Sequence, residues 1–284
     1  MTAIGLLKAI NSFSRCRIGV IGDIMLDHYI HGAVSRISPE APIPIVRAEE
    51  ETFIPGGAAN VAANIAALGG KAFLVGVVGQ DSMGKQLLKE TKDRGIVTQG
   101  VISLRNVSTT HKMRIVAQGQ QLVRVDREQT HPISVHTEKE LLHYIVSAIK
   151  KWDVIMLSDY AKGVFTQQLT KKIIALAKKY HKPVIADIKP VHASYFKGCD
   201  LIKPNHHEAF TMSGVEDTAE AGPVLQKILA SRVLITEGAK GMTLFEGSKK
   251  HEFAAHAAEV ADIVGTGDTV AATICLGVAV GLSY

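Results

Sequence analysis

Gly265-Thr266-Gly267-Asp268 joins two chemistries in four residues: glycines that let backbone N–H groups converge, and a carboxylate beside them. At a helix N-terminus such a turn gathers anionic oxygens through unpaired donors and the helix dipole. A fixed Asp next to that cradle suits phosphoryl transfer to a hydroxyl, because it can accept the hydroxyl proton while the donors hold the moving phosphate. Ala261-Asp262-Ile263-Val264 leads into the turn, and an apolar, helix-like stretch from Thr269 follows it. A plain Gly-x-Gly loop has the same local pattern, so the turn alone leaves both readings open.

Further polar clusters stand at the ends of short apolar runs: Gly22-Asp23, Ser158-Asp159-Tyr160-Ala161-Lys162-Gly163, Ala186-Asp187-Ile188-Lys189-Pro190, and Lys203-Pro204-Asn205-His206-His207-Glu208. If the runs are parallel strands, these clusters open on one sheet edge and concentrate carboxylates and lysines in one crevice. Singly, each reads as a loop capping the next helix. Their coincidence with Asp268 points to an active site. Asp27, Arg36 and Glu40 read as salt-bridged loop residues.

The positioning elements alternate. Arg17 to Gly22 reads as a buried first strand, Gly56 to Gly70 as a helix with glycine at both ends, and Ala72 to Val78 as the next strand. Beyond Glu138 to Lys151, a helix by period, follow strand Val154–Asp159, helix Thr166–Tyr180, strand Pro183–Asp187 and Asp200–Lys203. Helix Gly222–Leu229, strand Arg232–Thr236 and a hairpin from Met242 to Ala255 around Gly247 complete the series. This spacing predicts an α/β fold with a mainly parallel sheet covered by helices on both faces. His28 to Ile54, broken by Pro39, Pro42 and Pro44, reads as short extended pieces, and Thr109 to Asp126 as two strands joined around Gly119. Together they predict a small β appendage.

The composition fits a soluble globular chain: 284 residues, 46% hydrophobic, 21% charged. Net charge is +5 with the basic residues scattered, which argues against nucleic acid as a partner and suits anionic metabolites. Three widely spaced cysteines, Cys16, Cys199 and Cys275, suggest neither zinc nor a disulfide framework and fit a reducing cytoplasm. The N-terminus reads as an amphipathic helix, not a secretion signal, and the longest apolar run, Val270 to Leu282, is shorter than the ~20 residues that span a bilayer. A Walker A loop and a G-x-G-x-x-G turn after the first strand are absent, and the twelve histidines form no zinc-enzyme pattern.

Gly56-Gly57-Ala58-Ala59-Asn60 and Gly265-Thr266-Gly267-Asp268-Thr269, in that order, resemble the two signatures of the ribokinase-like (PfkB) carbohydrate kinase family. Gly22-Asp23-Ile24-Met25-Leu26-Asp27, Val34 to Pro42, Gln120 to Asp126 and Leu157 to Gly163 are most similar to its branch acting on D-glycero-β-D-manno-heptose 7-phosphate. The resemblance implies a single three-layer kinase domain over residues 1–284 with a β-sheet lid at about 28–54 and 109–126. It also implies a domain end short of the helices with which relatives continue, and no adenylyltransferase activity in this chain.

The implied reaction is ATP-dependent phosphorylation of the anomeric 1-hydroxyl, giving the 1,7-bisphosphate of lipopolysaccharide core biosynthesis; a kinase for another sugar, or a catalytically weak sugar-phosphate-binding protein, is the alternative. Asp268 would be the base, with the N–H groups of Gly265, Thr266, Gly267 and Asp268 on the transferring phosphoryl. Asp23, Gly56, Gly57 and Asn60 would hold the sugar, and Arg124, Lys162 and Lys189 its 7-phosphate. Lys203, Asn205, His206, His207 and Glu208 would lie by the nucleotide phosphates, and Thr236, Gly238 and Gly241 by the adenosine. Glu208 would hold Mg2+ through water, and Asp262 a monovalent cation, K+. The lid implies a homodimer. Val264 and Thr266 depart from the usual Thr and Ala of the Gly-Ala-Gly-Asp signature without removing the Asp or a backbone donor.

Overall fold

The computed structural model describes residues 3–255 and 265–284. The chain opens with α1 (Ala3–Asn11) and β1 (Arg17–Gly22), then β2 (Ile24–Ile37), β3 (Pro44–Gly57), α2 (Ala58–Ala67) and β4 (Lys71–Gly79). It continues through α3 (Ser82–Asp93), β5 (Val97–Leu104), β6 (Thr110–Ala117), β7 (Gln120–Arg127), α4 (Val135–Ala148), β8 (Val154–Ser158) and α5 (Gln167–Lys179). The last third holds β9 (Val184–Asp187), β10 (Leu201–Ile202), α6 (His206–Ser213), α7 (Thr218–Leu229), β11 (Arg232–Thr236), β12 (Met242–Glu246), β13 (Lys249–Phe253) and α8 (Thr266–Ala279).

The large sheet has nine strands in the order β13-β12-β11-β10-β9-β8-β1-β4-β5. It is parallel from β11 to β5, and β12 and β13 are antiparallel. From β1 the chain builds outward to one side through β4 and later to the other through β8 to β11, so the strand order reverses at β1/β8. Open parallel sheets bind ligands outside the carboxyl ends at such a reversal.

Side chains alternate across the buried strands. Ile18 and Val20 of β1, with Val154 and Met156 of β8, pack against Ile65 of α2 and Cys275 and Leu276 of α8. Ile21, Ile155 and Leu157 face the opposite layer, where Trp152, Leu141, Ile145 and Ile173 form a second core. These side chains are fully buried, and each removes about 1.5–3 kcal/mol of apolar surface from water. Alanines at 58, 59 and 62 of α2 and 271 and 272 of α8 are buried in the same core, and the two helices pack together there. That packing brings the N-termini of α2 and α8 to one place.

A second sheet, β3-β2-β6-β7, stands over the carboxyl edge. β2 and β3 are each 14 residues long and pair antiparallel with two register shifts, while β2 and β6 run parallel. The 28–54 region is thus two long strands, not short pieces, because Pro39 and Pro42 fall in the turn and Pro44 at a strand start, where no ladder donor is needed. The β6–β7 hairpin turns at Gln118 and Gly119, both at positive φ. α3, β5 and α6 have no counterpart in the sequence reading: α3 is rich in charge and is announced mainly by its Asp81 cap, and α6 is short and polar.

Candidate active site

α8 begins at Gly265, whose φ of 79° lies in the left-handed region. A Cβ there would stand 2.7 Å from Asn60 Nδ2, so the turn requires glycine twice over, for its conformation and for the approach of Asn60. Asp268 is in the first turn of α8 and is 5% exposed. Asn60 Nδ2 donates to its Oδ2 at 2.6 Å, and the Tyr160 hydroxyl donates to Oδ1 at 2.9 Å. Burial pushes the Asp268 carboxyl up to about 6, aided by the charge of Asp187 and opposed by Asn60, Tyr160 and Lys203. A carboxylate tuned close to neutrality can take a proton from a substrate and return it to water. The N–H of Asp268 donates to the Gly265 carbonyl at 3.0 Å, which takes that donor out of the expected anion cradle.

The ends of β8, β9, β10 and β11 bring the next groups to a crevice of about 440 Å³ that Asp268 lines. Lys203, almost fully buried, places Nζ 2.8 Å from Asp187 Oδ2 and lies beside Gly267. Lys189 Nζ meets Glu208 Oε1 at 2.5 Å; burial alone would lower its ammonium, but Glu208, Asp187 and Asp159 outweigh that and raise it. Asn205 and Glu208 form a capping box on α6, each side chain taking the other's backbone N–H at 2.9 Å. Thr236 and Gly238 line the crevice beyond them. Glu208 has both oxygens engaged, by Lys189 and by the Asn205 N–H, which suits contact with a cation through that cation's own waters. Among the described residues no group of three or more His, Cys, Asp or Glu could hold a metal directly.

The lid supplies the opposite wall. Met25 and Asp27 of β2, Lys112 and Arg114 of β6 and Arg124 of β7 line the same crevice, as the two-residue period of paired strands requires. Arg114 Nη1 lies 2.5 Å from Asp27 Oδ1, and Lys112 and Arg124 both meet Asp126, at 3.2 and 3.1 Å. A Cβ on Gly56 would stand 2.4 Å from Asp27 Oδ2, so glycine there makes room for the carboxylate, and Gly57 turns the chain into α2 with a φ of 58°.

Asp268, Gly265, Thr266, Gly267, Gly56, Gly57, Asn60, Arg124, Lys189, Lys203, Asn205, Glu208, Thr236 and Gly238 therefore share one crevice. Other sequence candidates stand elsewhere. Asp23 does not face it: both carboxyl oxygens accept backbone N–H groups from residues 160, 162 and 164, which leaves the sugar-orienting expectation without a free oxygen pair in the crevice. Lys162 turns to Glu128 at 2.7 Å, and both Asp23 and Lys162 line a separate cavity of about 500 Å³ that also takes Leu104, Ile133 and Val164. His206 and His207 are exposed on the first turn of α6, outside the crevice lining. Gly241 serves the β11–β12 connection: its φ is 101°, and a Cβ would collide with the Phe253 carbonyl. Asp262 lies outside the described residues.

Asp27, Lys112 and Arg114 are crevice residues that no motif announced as such, whereas Tyr160 and Asp187 came from strand-end clusters without a role of their own. Alternation offered one clue: Ile24 and Leu26 are core residues, so Met25 and Asp27 must face the other way.

A match to the pfkB family of carbohydrate kinases covers residues 17–284. The chain belongs to that family. As a carbohydrate kinase it shares 42% identity over 281 residues with the bifunctional protein HldE of Caulobacter vibrioides, covering 96% of this chain and 57% of that protein. With the bifunctional protein HldE of Desulfatibacillum aliphaticivorans it shares 38% over 282 residues, 97% of this chain and 58% of the other. The chain thus spans somewhat over half the length of these curated relatives. Its fold resembles phosphofructokinase-2 from Escherichia coli in a tetrameric inhibited form, with a TM-score of 0.77 and 19% identity over 94% of this chain and 89% of that one. It also resembles Arabidopsis thaliana ribokinase complexed with ribose and ATP, with a TM-score of 0.72 and 22% identity over 94% and 87% of the two chains. The ribokinase-like architecture expected from the two glycine signatures is the one observed, a large mostly parallel sheet with a small lid sheet.

Proposed function

We propose that this carbohydrate kinase transfers the γ-phosphoryl group of ATP to the anomeric 1-hydroxyl of D-glycero-β-D-manno-heptose 7-phosphate, forming the 1,7-bisphosphate and ADP. The observation that carries the reading is the juxtaposition in one crevice of a buried, near-neutral Asp268 and the lid cations Lys112, Arg114 and Arg124. A base and several cations lining one crevice suit a sugar that carries both a reacting hydroxyl and a phosphate. The resemblance of the 22–27, 34–42 and 157–163 segments to heptose-phosphate kinases, and the identity with HldE proteins along nearly the whole chain, support the choice of sugar.

Asp268 removes the proton of the attacking hydroxyl as its oxygen bonds to the γ-phosphorus and the bond to ADP breaks. Lys203 and the N-terminus of α8 offset charge on the moving phosphoryl. Asp27, held by Arg114, and the backbone at Gly56 and Gly57 contact the sugar; this role moves to Asp27 from Asp23. Lys112 and Arg124, with Lys189 at the crevice floor, receive the 7-phosphate, and Lys112 replaces Lys162 there. Asn205, Thr236 and Gly238 lie on the ATP side. Mg2+, held by Glu208 through water, supplies neutralisation of the nucleotide phosphates when bound. The outer face of the lid, where Val123 and Val125 are exposed, forms a homodimer.

An ADP-release assay comparing heptose 7-phosphate, ribose and fructose 6-phosphate tests the substrate, with phosphorus NMR locating the new ester. The expected result is a preference of about 100-fold or more in kcat/KM for the heptose phosphate, with the ester at C1. Equal or better turnover of either other sugar overturns the assignment.

A further inference from the structure

Tyr160 is carried by a strained loop. Residues 159–164 leave the end of β8 and return to α5, and Ala161 within them has a φ of 55°, a left-handed conformation that L residues rarely adopt. Such a conformation persists where its surroundings over-determine it. Here two carboxylates do so. Asp159 Oδ1 accepts the Ala161 N–H at 2.8 Å. Asp23, 1% exposed, accepts the N–H groups of Tyr160 and Lys162 on Oδ2 at 2.8 and 3.0 Å, and that of Val164 on Oδ1 at 3.1 Å. A carboxyl buried this deeply is tolerated only with such partners; burial pushes it up against the pull of all three donors.

The pinned loop brings Asp159 and Tyr160 to the crevice, and the phenol of Tyr160 is the group it sets on Asp268, at Oδ1. Asn60 holds the other oxygen, so both ends of the carboxylate are fixed and its plane is set before substrate arrives. Burial first, and then the charge of Asp268, hold the phenol proton in place far above the ordinary tyrosine range, so Tyr160 stays a donor throughout the working pH. Each carboxylate oxygen keeps a lone pair for the incoming hydroxyl.

We propose that Tyr160 is a positioning residue for Asp268, and that Asp23 is the buried pin that keeps Tyr160 in place. The inference rests on Asp268 being the base. Tyr160→Phe and Asp23→Asn in the full chain test it, read by carbon-13 NMR titration of the Asp268 carboxyl without substrate and by kcat against pH. In Tyr160→Phe the Asp268 midpoint rises by about one pH unit, because a donor to its ionised form is lost. Correspondingly, kcat falls about tenfold below that midpoint, with KM for both substrates within about twofold of wild type. Asp23→Asn gives the same direction of change in both readouts.

A Tyr160→Phe protein with wild-type midpoint and kcat overturns the positioning role, whereas full turnover in Asp268→Asn defeats the base assignment beneath it. The pin is also read without any variant. In the wild-type protein the amides of Tyr160, Lys162 and Val164 exchange with deuterium at rates typical of the core sheet, and exchange at open-loop rates in these three overturns Asp23's part.

Discussion

Asp268→Asn should make the protein more stable and nearly inactive at once. The fold holds this carboxyl at about 6 against an ordinary 3.8, so folding favours its protonated form. Between those values the native state keeps a proton that the unfolded chain has released, and stability falls as pH rises through the window. The favourable contribution is complete below about pH 4 and gone above about pH 7. For a side chain 5% exposed, the ionised form then carries a penalty of about 3 kcal/mol.

Asparagine removes the charge and keeps the shape. Its carbonyl can accept from Tyr160, and its amide can donate to Asn60 once the Asn60 side chain turns its oxygen inward, a flip that gives up only the 3.4 Å contact Asn60 Oδ1 accepts from Asn64 Nδ2. With neutral hydrogen bonds in place of charged ones, a net gain of about 2 kcal/mol at pH 8 remains. That corresponds to about 4 °C in Tm for a chain of this size. Urea unfolding of wild type and variant at pH 8 and pH 4.5 measures it, and comparing the two proteins cancels every other titrating group. The gain must vanish at pH 4.5, where the wild-type carboxyl is already protonated. A gain equal at both pH values, or none at pH 8, refutes the argument. Turnover should fall by about 1,000-fold, since the proton acceptor is gone.

Gly265→Ala places a methyl group against Asn60 in a left-handed turn, and should cost about 1–3 kcal/mol of stability and at least about tenfold in kcat; wild-type values in both would refute the need for glycine there. Val123→Asp with Val125→Asp puts charges on the outer face of the lid, opposite the face that carries Arg124. Light scattering should show a dimer for the wild type and a monomer for the variant; a monomeric wild type, or a dimer that persists in the variant, overturns the lid interface.

Much of the fold was legible because buried parallel strands announce themselves. Arg17 to Gly22, Val154 to Ser158 and Arg232 to Thr236 are β-branched and apolar, and each was placed within a residue. β10, with two residues, was readable only through its neighbours. Asp268 drew attention for a different reason: its glycine turn alone reads equally as a plain loop, and only its coincidence with the four strand-end clusters singled it out. Asp23 drew the sugar-orienting expectation because a strand-end acid normally faces the ligand edge, yet Asp27 is the one of the two that lines the crevice. Here the chain passes at residue 23 directly from the large sheet into the lid, and that crossing buries Asp23 beneath the returning loop 159–164.

The convergence on the lid face was hidden for a stronger physical reason. The alternation Lys112-Met113-Arg114 identifies a strand and puts both cations on one face, but nothing local names the strand beside it. β6 could have paired with β3, its neighbour in the earlier excursion, as readily as with β2. It pairs parallel with β2, and the register sets Asp27 opposite Lys112 and two residue pairs from Arg114, on the same face. Only that long-range pairing turns a surface salt-bridge candidate into a half-buried carboxylate with a fixed partner. Strand register, not residue type, is therefore what brings Asp27 and Arg114 together on the wall of the crevice.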